Sequence, residues 1–346
     1  MAGSEELELA WLREHADTLL AALDDAGALH FRGFTAPTTK PGFRRFCEAL
    51  PFSPCADPLA SIGVRSLLSQ ADGVYEAVNA QALAATTIGL HNDATWKLTA
   101  PFAAFVCFEP ADSGGAFLVA DGRRVLADLE PGLVEKLSAR NISVRVAALD
   151  AAPLLRLCPA PLLAPLRAAF AGAARVALDA AVPLGLVVAW GGAEGHTLQV
   201  LERPKPPLNA HPASGAPTWF SSLHSQSSHL QQRRAEGEPG FSMTEAFYGD
   251  LTPIEPAELE QIDEVITRHV RRVQMRPGEV VLLDSYQVLH GRDPFHGTRE
   301  HGVLWLTSDA FAPPGAEEEG DGEGEGDAAS AFSRAVNWLA VKRTRT

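Results

Sequence analysis

The feature that most constrains the fold is a pair of apolar segments joined by a glycine turn. Residues 102–108 (FAAFVCF) are uninterruptedly apolar, residues 113–115 (SGG) carry a turn signal, and residues 117–120 (FLVA) are apolar again. A short apolar run bounded by turn residues is typical of a buried strand, and glycines between two such runs favour a hairpin. The sequence therefore predicts a β-rich core around this hairpin.

Further periodic segments predict strands and helices on either side of the hairpin. Alternation or short apolar runs predict strands over residues 28–34, 184–190, 198–201, 279–284 and 303–307. Helical spacing of apolar residues predicts helices over residues 9–23 with a stop at Gly27, over 43–50, over 123–140 with an interruption at Pro131, and over 259–273. Residues 150–182, rich in Ala, Leu and Pro, give no clear assignment and are interpreted as an insert.

Composition excludes several classes of protein. The chain has 346 residues, of which 46% are hydrophobic and 21% charged, enough apolar material for a sizeable core and unlike a disordered or fibrous chain. No window approaches 18 uninterrupted apolar residues, so no membrane span is expected. The acidic N-terminus lacks a secretion signal, and the four widely spaced cysteines predict buried thiols in a reducing compartment. We therefore expect a cytoplasmic protein.

Charge is concentrated near the C-terminus. The formal net charge is −14, and residues 317–327 alone hold seven acidic and no basic residues. Without clustered Lys and Arg a nucleic-acid surface is not expected, so the predicted partner is a small-molecule substrate. We predict one domain over residues 1–314, an acidic disordered linker over 315–328 and a C-terminal helix over 329–346; the sequence leaves the oligomeric state open.

Two segments far apart in the chain carry residues suited to metal chemistry. His91 is followed two positions later by Asp93, and on an extended segment both side chains lie on one face. His290 ends an apolar strand, and Arg299 follows nine residues later. Two imidazoles and one carboxylate on one face of a metal are the arrangement of non-haem Fe(II) oxygenases. An arginine near the second histidine offers a planar fork for the carboxylate of a dicarboxylate co-substrate.

In their order along the chain, these segments and five others resemble the motifs of the taurine/2,4-D dioxygenase (TauD/TfdA-like) family. The matches span about residues 27–307, and their order makes the resemblance far more specific than any single motif. The matching segments are GALHFRGF at 27–34, GLHND at 89–93, PADSGG at 110–115 with Ala120-Asp121, TWF at 218–220, FYGDLTPI at 247–254, Gly278 with Leu283-Asp284, and HGRDPFHG at 290–297.

The resemblance implies an α+β, mainly β fold, with a double-stranded β-helix (jelly-roll, cupin-like) core and flanking helices. It implies that His91, Asp93 and His290 bind Fe(II), and that 2-oxoglutarate chelates this iron while Arg299 anchors its distal carboxylate, with Arg292 as the alternative anchor. It also implies that O2 is consumed, that succinate and CO2 are released, and that a small metabolite is hydroxylated or otherwise oxidised.

Three positions depart from the family pattern. Phe117 stands where the family often has a threonine that helps to hold 2-oxoglutarate, and Ser285 replaces an asparagine. Glu300 and His301 occupy positions near Arg299 where a second arginine is common. These departures keep open a catalytically silent β-helix binding protein. A zinc-dependent hydrolase that uses the same three ligands is the other alternative.

Other polar residues have simpler interpretations. His30 and Arg32 lie on the polar face of the first predicted strand and are expected at the surface. His224 and His229 lie in a Ser/Gln-rich stretch, which favours a solvated loop. Trp96 is expected either to line the substrate pocket or to fill the core.

Overall fold

The structure, a computed structural model, describes residues 2–55, 66–92, 100–181, 186–192, 195–234 and 244–308. Within these ranges the helices are α1 (Ala2–Glu14), α2 (Ala16–Ala26), α3 (Lys40–Ala49), α4 (Gly122–Asp128), α5 (Pro131–Arg140), α6 (Ala152–Leu155), α7 (Ala160–Ala181), α8 (Leu223–Gln226), α9 (Ser228–Arg234) and α10 (Pro256–His269). The predicted linker at 315–328 and C-terminal helix at 329–346 lie outside the described residues.

The strands are short and mostly follow the predicted segments. They are β1 (Ala28–Phe31), β2 (Ser53–Pro54), β3 (Leu67–Ser69), β4 (Val74–Glu76), β5 (Ile88–His91), β6 (Phe102–Glu109), β7 (Ser113–Gly114), β8 (Phe117–Asp121), β9 (Ile142–Asp150), β10 (Val187–Gly191), β11 (Thr197–Leu201), β12 (Leu208–Ala210), β13 (Pro217–Trp219), β14 (Glu245–Tyr248), β15 (Arg271–Val273), β16 (Val280–Asp284), β17 (Val288–Arg292), β18 (Phe295–His296) and β19 (Glu300–Thr307).

Two antiparallel sheets form the centre of the molecule. The larger has the order β1-β16-β6-β19-β4-β3, with β2 also paired to β19, and the smaller has the order β15-β8-β17-β5. A separate sheet, β10-β11-β9-β14, and the small pairs β12-β13 and β18-β7 complete the pairing. The protein therefore combines helices with antiparallel sheets, in agreement with the α+β part of the expectation.

The main core lies between the two central sheets. Phe105 and Trp305 of the larger sheet pack in one buried cluster with Phe117 and Val288 of the smaller sheet. The opposite face of the larger sheet is also covered, since Val106 packs in a second cluster with residues of α1–α3. Burial on both faces explains why residues 102–108 are apolar without alternation.

The outer face of the smaller sheet carries a third buried cluster. Leu90, Leu118 and Leu289 of this sheet pack there with residues of α4, α5 and α8–α10, including Ile262. Helices therefore cover both central sheets on the outside. The strands that carry His91 and His290 are thus held between two layers of packed side chains.

Two helix predictions need correction at their boundaries. Residues 9–23 fall in two helices, because the helical run breaks at His15 between α1 and α2; the predicted stop at Gly27 is confirmed, with a left-handed φ of 73°. The predicted helix over 259–273 ends at His269. Val273 instead pairs with Phe117 in a strand, where its β-branched side chain is partly buried.

The insert predicted around 150–182 contains α6 and α7 between β9 and β10. Among the described residues, one helix, Ala160–Ala180, is long and apolar enough by length and composition to cross a membrane, with 6% of that window buried. The expectation of no membrane span rested on a different criterion, an unbroken run of 18 apolar residues, which this helix does not meet because Arg167 and Arg175 interrupt it. Its many alanines keep the mean hydropathy high despite these charged residues.

The prediction of buried thiols is met at two of the four cysteines. Cys47 and Cys107 are buried thiols, and Cys55 and Cys158 are partly buried thiols. Burial raises the pKa of Cys107 to about 12, against a weaker opposing effect of the Arg299 charge. This thiol is therefore protonated and unreactive at neutral pH.

Candidate active site

The structure brings His91 and His290 together. The two residues face each other across the antiparallel pair β5–β17, and their ring centroids are 4.6 Å apart. His290 is 5% exposed, and its ring lies 4.9 Å from that of Phe105 and stacks on Phe117 at 5.9 Å. Both imidazoles therefore lie at the inner face of the smaller sheet, close enough to bind one metal ion.

A backbone hydrogen bond fixes the tautomer of His91. Its Nδ1 lies 2.8 Å from the carbonyl oxygen of Gly89, an acceptor, so Nδ1 carries the proton and donates. The lone pair is then on Nε2. Metal-binding histidines commonly have their second nitrogen fixed by a carbonyl in this way, and the donor set fits a divalent transition metal.

The predicted carboxylate ligand, Asp93, lies outside the described residues, as does Trp96. Within the described part of the chain, no group of three or more His, Cys, Asp or Glu side chains is arranged to hold a metal. The two histidines are therefore the part of the predicted ligand set that the structure describes.

Arg292 and Arg299 are both buried, with exposed fractions of 3% and 7%. Arg292 donates to the carbonyls of Asp293 and Leu83, both at 2.8 Å. Arg299 Nη1 donates to the Ala77 carbonyl and to Asn79 Oδ1, again at 2.8 Å. The Nε of each arginine is buried without a hydrogen-bond partner among the described residues. Each guanidinium therefore keeps donor capacity for a ligand.

Electrostatics at these arginines favour an anion. Burial, together with the nearby charge of Arg292, lowers the pKa of Arg299 to about 9, and burial lowers the pKa of Arg292 to about 10. In the part of the chain that the structure describes, neither guanidinium forms a salt bridge with a carboxylate. Two close buried cations without an ion-pair partner are costly, and a bound carboxylate would offset that cost.

The strand register relates the arginines to the histidine pair. Cys107 and Phe105 share the inner face of β6, two residues apart, which is about 7 Å along a strand. Phe105 contacts the His290 ring, whereas Cys107 lies opposite His301 and experiences the charge of Arg299. Arg292 and Arg299 therefore lie about two strand residues beyond the layer of aromatic rings that contacts His290.

The departures noted in the sequence have visible consequences. Phe117 is 4% exposed and forms an apolar wall against His290, where threonine would offer a hydroxyl. His301 is 4% exposed, and its Nδ1 has no hydrogen-bond partner among the described residues. Burial and the charges of Arg299 and Arg292 lower the pKa of His301 well below its usual value, so this imidazole is neutral.

The expectation that His30 and Arg32 lie at the surface is confirmed. Both side chains also bind the Glu279 carboxylate, at 3.0 and 3.1 Å. Burial of Glu279 favours its neutral form, but hydrogen bonds from Arg276, Arg32 and His30 outweigh it and lower the pKa of this carboxyl.

The loop prediction for His224 and His229 was wrong. His224 lies in α8 and is 3% exposed, and His229 lies in α9 and binds Glu260 at 3.0 Å. Ser and Gln in this stretch cap and bridge short helices instead of facing solvent. An example is Gln231 Nε2, which donates to the Ser225 carbonyl at 2.6 Å.

Sequence reasoning missed two asparagines that hold the site together. Asn92 is buried, and its Nδ2 donates to the carbonyls of Ser285 and Val288, which ties the end of β5 to the connection that leads into β17. Asn79 Oδ1 accepts from Arg299 and from the backbone of His301. Nothing in the sequence indicated Asn79; the position between His91 and Asp93 was the only signal for Asn92.

Several family-like motif residues shape the backbone instead of meeting a ligand. Gly114 and Gly115 have φ of 71° and 68°, and Gly115 N donates to the Pro294 carbonyl at 2.7 Å. Asp284 Oδ1 accepts from the amides of Tyr286 and Gln287, and Oδ2 binds His211 at 2.7 Å. These contacts fix the connections on either side of His290.

Known proteins resemble this chain in sequence and in fold. The family described as "Taurine catabolism dioxygenase TauD, TfdA family" matches residues 3–305. An asparagine oxygenase solved with Fe(II), 3-hydroxyasparagine and succinate is similar, with a TM-score of 0.50, 16% identity, and coverage of 86% of this chain and 79% of that one. PvcB of Pseudomonas aeruginosa gives a TM-score of 0.48 at 15% identity over 84% of this chain and 79% of that one. No curated protein matches the chain significantly.

Proposed function

The chain belongs to the TauD, TfdA dioxygenase family, and on that premise we propose that His91, Asp93 and His290 hold its iron. As a member of this family the protein is an oxygenase that depends on Fe(II) and 2-oxoglutarate and consumes O2. The observation that carries the ligand assignment is the 4.6 Å separation of the His91 and His290 rings. Neither a silent binding protein nor a zinc hydrolase is favoured by the family match.

The fold proposal is that the two central sheets form a double-stranded β-helix within one domain of residues 1–314. Their antiparallel pairing, their common buried cluster and the inward position of the histidine pair support it. Residues from Leu9 to Leu306 contribute to the clusters that cover these sheets, which fits a single folding unit.

We assign the distal carboxylate of 2-oxoglutarate to Arg299, with Arg292 beside it. Both guanidiniums are buried, positively charged and retain an unpartnered Nε within the described residues. Asn79 and the 77–78 carbonyls hold one side of Arg299, which leaves its other edge for a bidentate contact with a carboxylate. Phe105 and Phe117 exclude water between this end and the histidines.

Bound iron and 2-oxoglutarate supply the oxidising chemistry, by coupling decarboxylation to succinate with oxidation of a substrate. The residues of the chain do the positioning. His91 and His290 present imidazole nitrogens, the arginines fix one end of the co-substrate, and the aromatic layer keeps the reacting region dry. We propose a small metabolite as substrate and hydroxylation as the reaction, in a cytoplasmic setting.

The experiment that tests this function measures succinate formed from 2-oxoglutarate under O2 with Fe(II). We expect succinate formation by the wild-type protein, and a loss of at least about 100-fold in His91→Ala and His290→Ala because each removes a metal ligand. His269→Ala is the matched control, since His269 binds Asp128 between the outer helices α10 and α4. Wild-type rates in either ligand variant would refute the assignment, and a wild-type protein that holds Zn(II) and forms no succinate when Fe(II) is supplied would favour the hydrolase.

A further inference from the structure

The strand that carries His91 is an edge strand of the smaller sheet. In that sheet β5 pairs with β17 alone, so its other edge needs a different partner. Helix α8 takes this position: Leu90 N donates to Nδ1 of the His224 side chain at 2.9 Å. The two segments are in close contact, because a Cβ added to Gly89 would lie 2.8 Å from Ser225 Cα.

His224 is itself held by two further helices. Its Nε2 lies 3.0 Å from Asp263 Oδ1 on α10. The Arg234 guanidinium of α9 lies over the ring, with Nη1 3.1 Å from Nδ1 and 2.7 Å from Nε2. Arg234 Nη2 also donates to the carbonyl of His224. Three helices thus converge on one imidazole that is 3% exposed.

These partners determine the protonation of the ring. Nδ1 accepts from an amide and so carries no proton, which leaves the proton on Nε2, where Asp263 accepts it. Burial lowers the pKa of His224, so the neutral form that this pattern requires is the stable one. Both ring nitrogens are engaged, so His224 is not a metal ligand.

We propose that His224 is a positioning residue for the iron ligand His91, an inference that rests on the proposed function. The His91 ring is oriented by the Gly89 carbonyl, and the Gly89–Leu90 backbone is fixed by α8 through the Leu90–His224 bond. Displacement of this backbone would rotate the His91 imidazole relative to His290. The side chain of His224 therefore acts on the metal site through two residues of main chain.

Two polar substitutions separate the two hydrogen bonds of His224. In His224→Asn the amide oxygen can take the place of Nδ1 and accept from Leu90, whereas His224→Gln reaches toward Asp263 and leaves Leu90 N unpaired. We expect His224→Gln to weaken Fe(II) binding about 10- to 100-fold and His224→Asn to stay within a few-fold of wild type. The KM for 2-oxoglutarate should change little in either variant, because the arginines lie at the other end of the site.

A spectroscopic readout distinguishes positioning from general destabilisation. Replacement of Fe(II) by Co(II) gives d–d absorption bands that depend on ligand geometry, and these should shift in His224→Gln and not in His224→Asn. His229→Gln is the matched control, since His229 lies on the neighbouring helix and binds Glu260. It should match wild type in iron affinity and in the Co(II) spectrum.

The proposal is overturned if His224→Gln and His224→Asn have equal iron affinity, or if both bind iron as wild type does. Should His224→Gln fail to fold, Gly89→Ala perturbs the same contact from the strand side, and wild-type iron affinity in that variant also overturns the proposal. Failure of the proposed function gives a different result: wild-type protein that binds no Fe(II), or His91→Ala that still binds it.

Discussion

At the scale of single residues, the candidate site depends on side chains whose hydrogen bonds end on backbone atoms. Asn92 bonds carbonyls of the connection before β17, and Arg299 bonds carbonyls of residues 77 and 78. His91 bonds the Gly89 carbonyl. Such bonds fix main-chain segments from different parts of the sequence. The position of a candidate ligand side chain therefore depends on this network of hydrogen bonds and not on its own strand alone.

The arginine assignment predicts an unequal effect of two neighbouring substitutions. Arg299→Ala should raise the KM for 2-oxoglutarate roughly 10- to 100-fold, because a buried charge-assisted hydrogen bond is worth about 1.5–3 kcal/mol. Arg292→Ala should have a smaller effect. Steady-state succinate assays measure both, with Arg45→Ala as control, since that exposed arginine of α3 binds Glu5 of α1, outside the site. A normal KM in Arg299→Ala with a raised KM in Arg292→Ala would move the anchor to Arg292.

A site residue could be predicted from the sequence only where the residues next to it in the chain form a recognisable pattern. His91 ends β5, and His290 follows the two apolar residues that begin β17, a pattern visible within a few residues. His224 gave no such signal, because a histidine among serines and glutamines has the composition of a loop, and only tertiary packing buries it. Asn79 could not be predicted for the same reason, because its hydrogen-bond partners lie more than two hundred positions away along the chain.

At the scale of elements, strands were easier to predict than strand pairing or helix limits. The apolar runs at 102–108 and 117–120 are strands as predicted, because burial leaves a strong signal. The hairpin expected between them was wrong: β6 pairs with β16 and β19 and β8 pairs with β15 and β17, so the turn at 113–115 leads from one central sheet to the other. The break between α1 and α2 was missed, since apolar spacing continues across His15. The C-terminal limit of α10 was missed because Val270 and Val273 extend the helical period, although Val273 pairs in the sheet.

The turn before β8 predicts a steric cost that can be separated from a conformational one. A Cβ at Gly114 would lie 2.3 Å from the Pro294 carbonyl oxygen, and the residue has φ of 71°. Gly33 has φ of 81° with nothing within 4 Å of an added Cβ. Gly33→Ala should cost about 1 kcal/mol of unfolding free energy, and Gly114→Ala should cost clearly more. Denaturant titration measures the free energy of unfolding of both variants. Equal losses would mean that the contact between the added Cβ and the Pro294 carbonyl oxygen has no energetic cost.

At the scale of the whole molecule, the His211–Asp284 pair makes stability depend on pH. Both side chains are 2% exposed, and the hydrogen bond to Asp284 raises the pKa of His211. A raised folded-state pKa adds stability that is complete below the ordinary value of 6.5 and is lost as pH rises through the folded value. The pair connects the segment around β12–β13 to the β16–β17 connection, so its loss affects the global transition.

The corresponding measurement compares unfolding free energies of wild type and His211→Asn at pH 6 and pH 9. We expect the wild-type advantage to be larger at pH 6 than at pH 9. His296→Asn, which changes an exposed histidine, should show no comparable pH-dependent difference. A wild-type advantage that grows toward pH 9 would contradict the assigned protonation.

The central claim is that two distant histidines converge on one iron ion, and anomalous diffraction at the iron edge from crystals grown anaerobically with Fe(II) tests it most directly. The account predicts a single strong peak within about 2.1 Å of a ring nitrogen of both His91 and His290. A peak bound by other side chains, or no peak between these two imidazoles in crystals of protein that turns over 2-oxoglutarate, would contradict it.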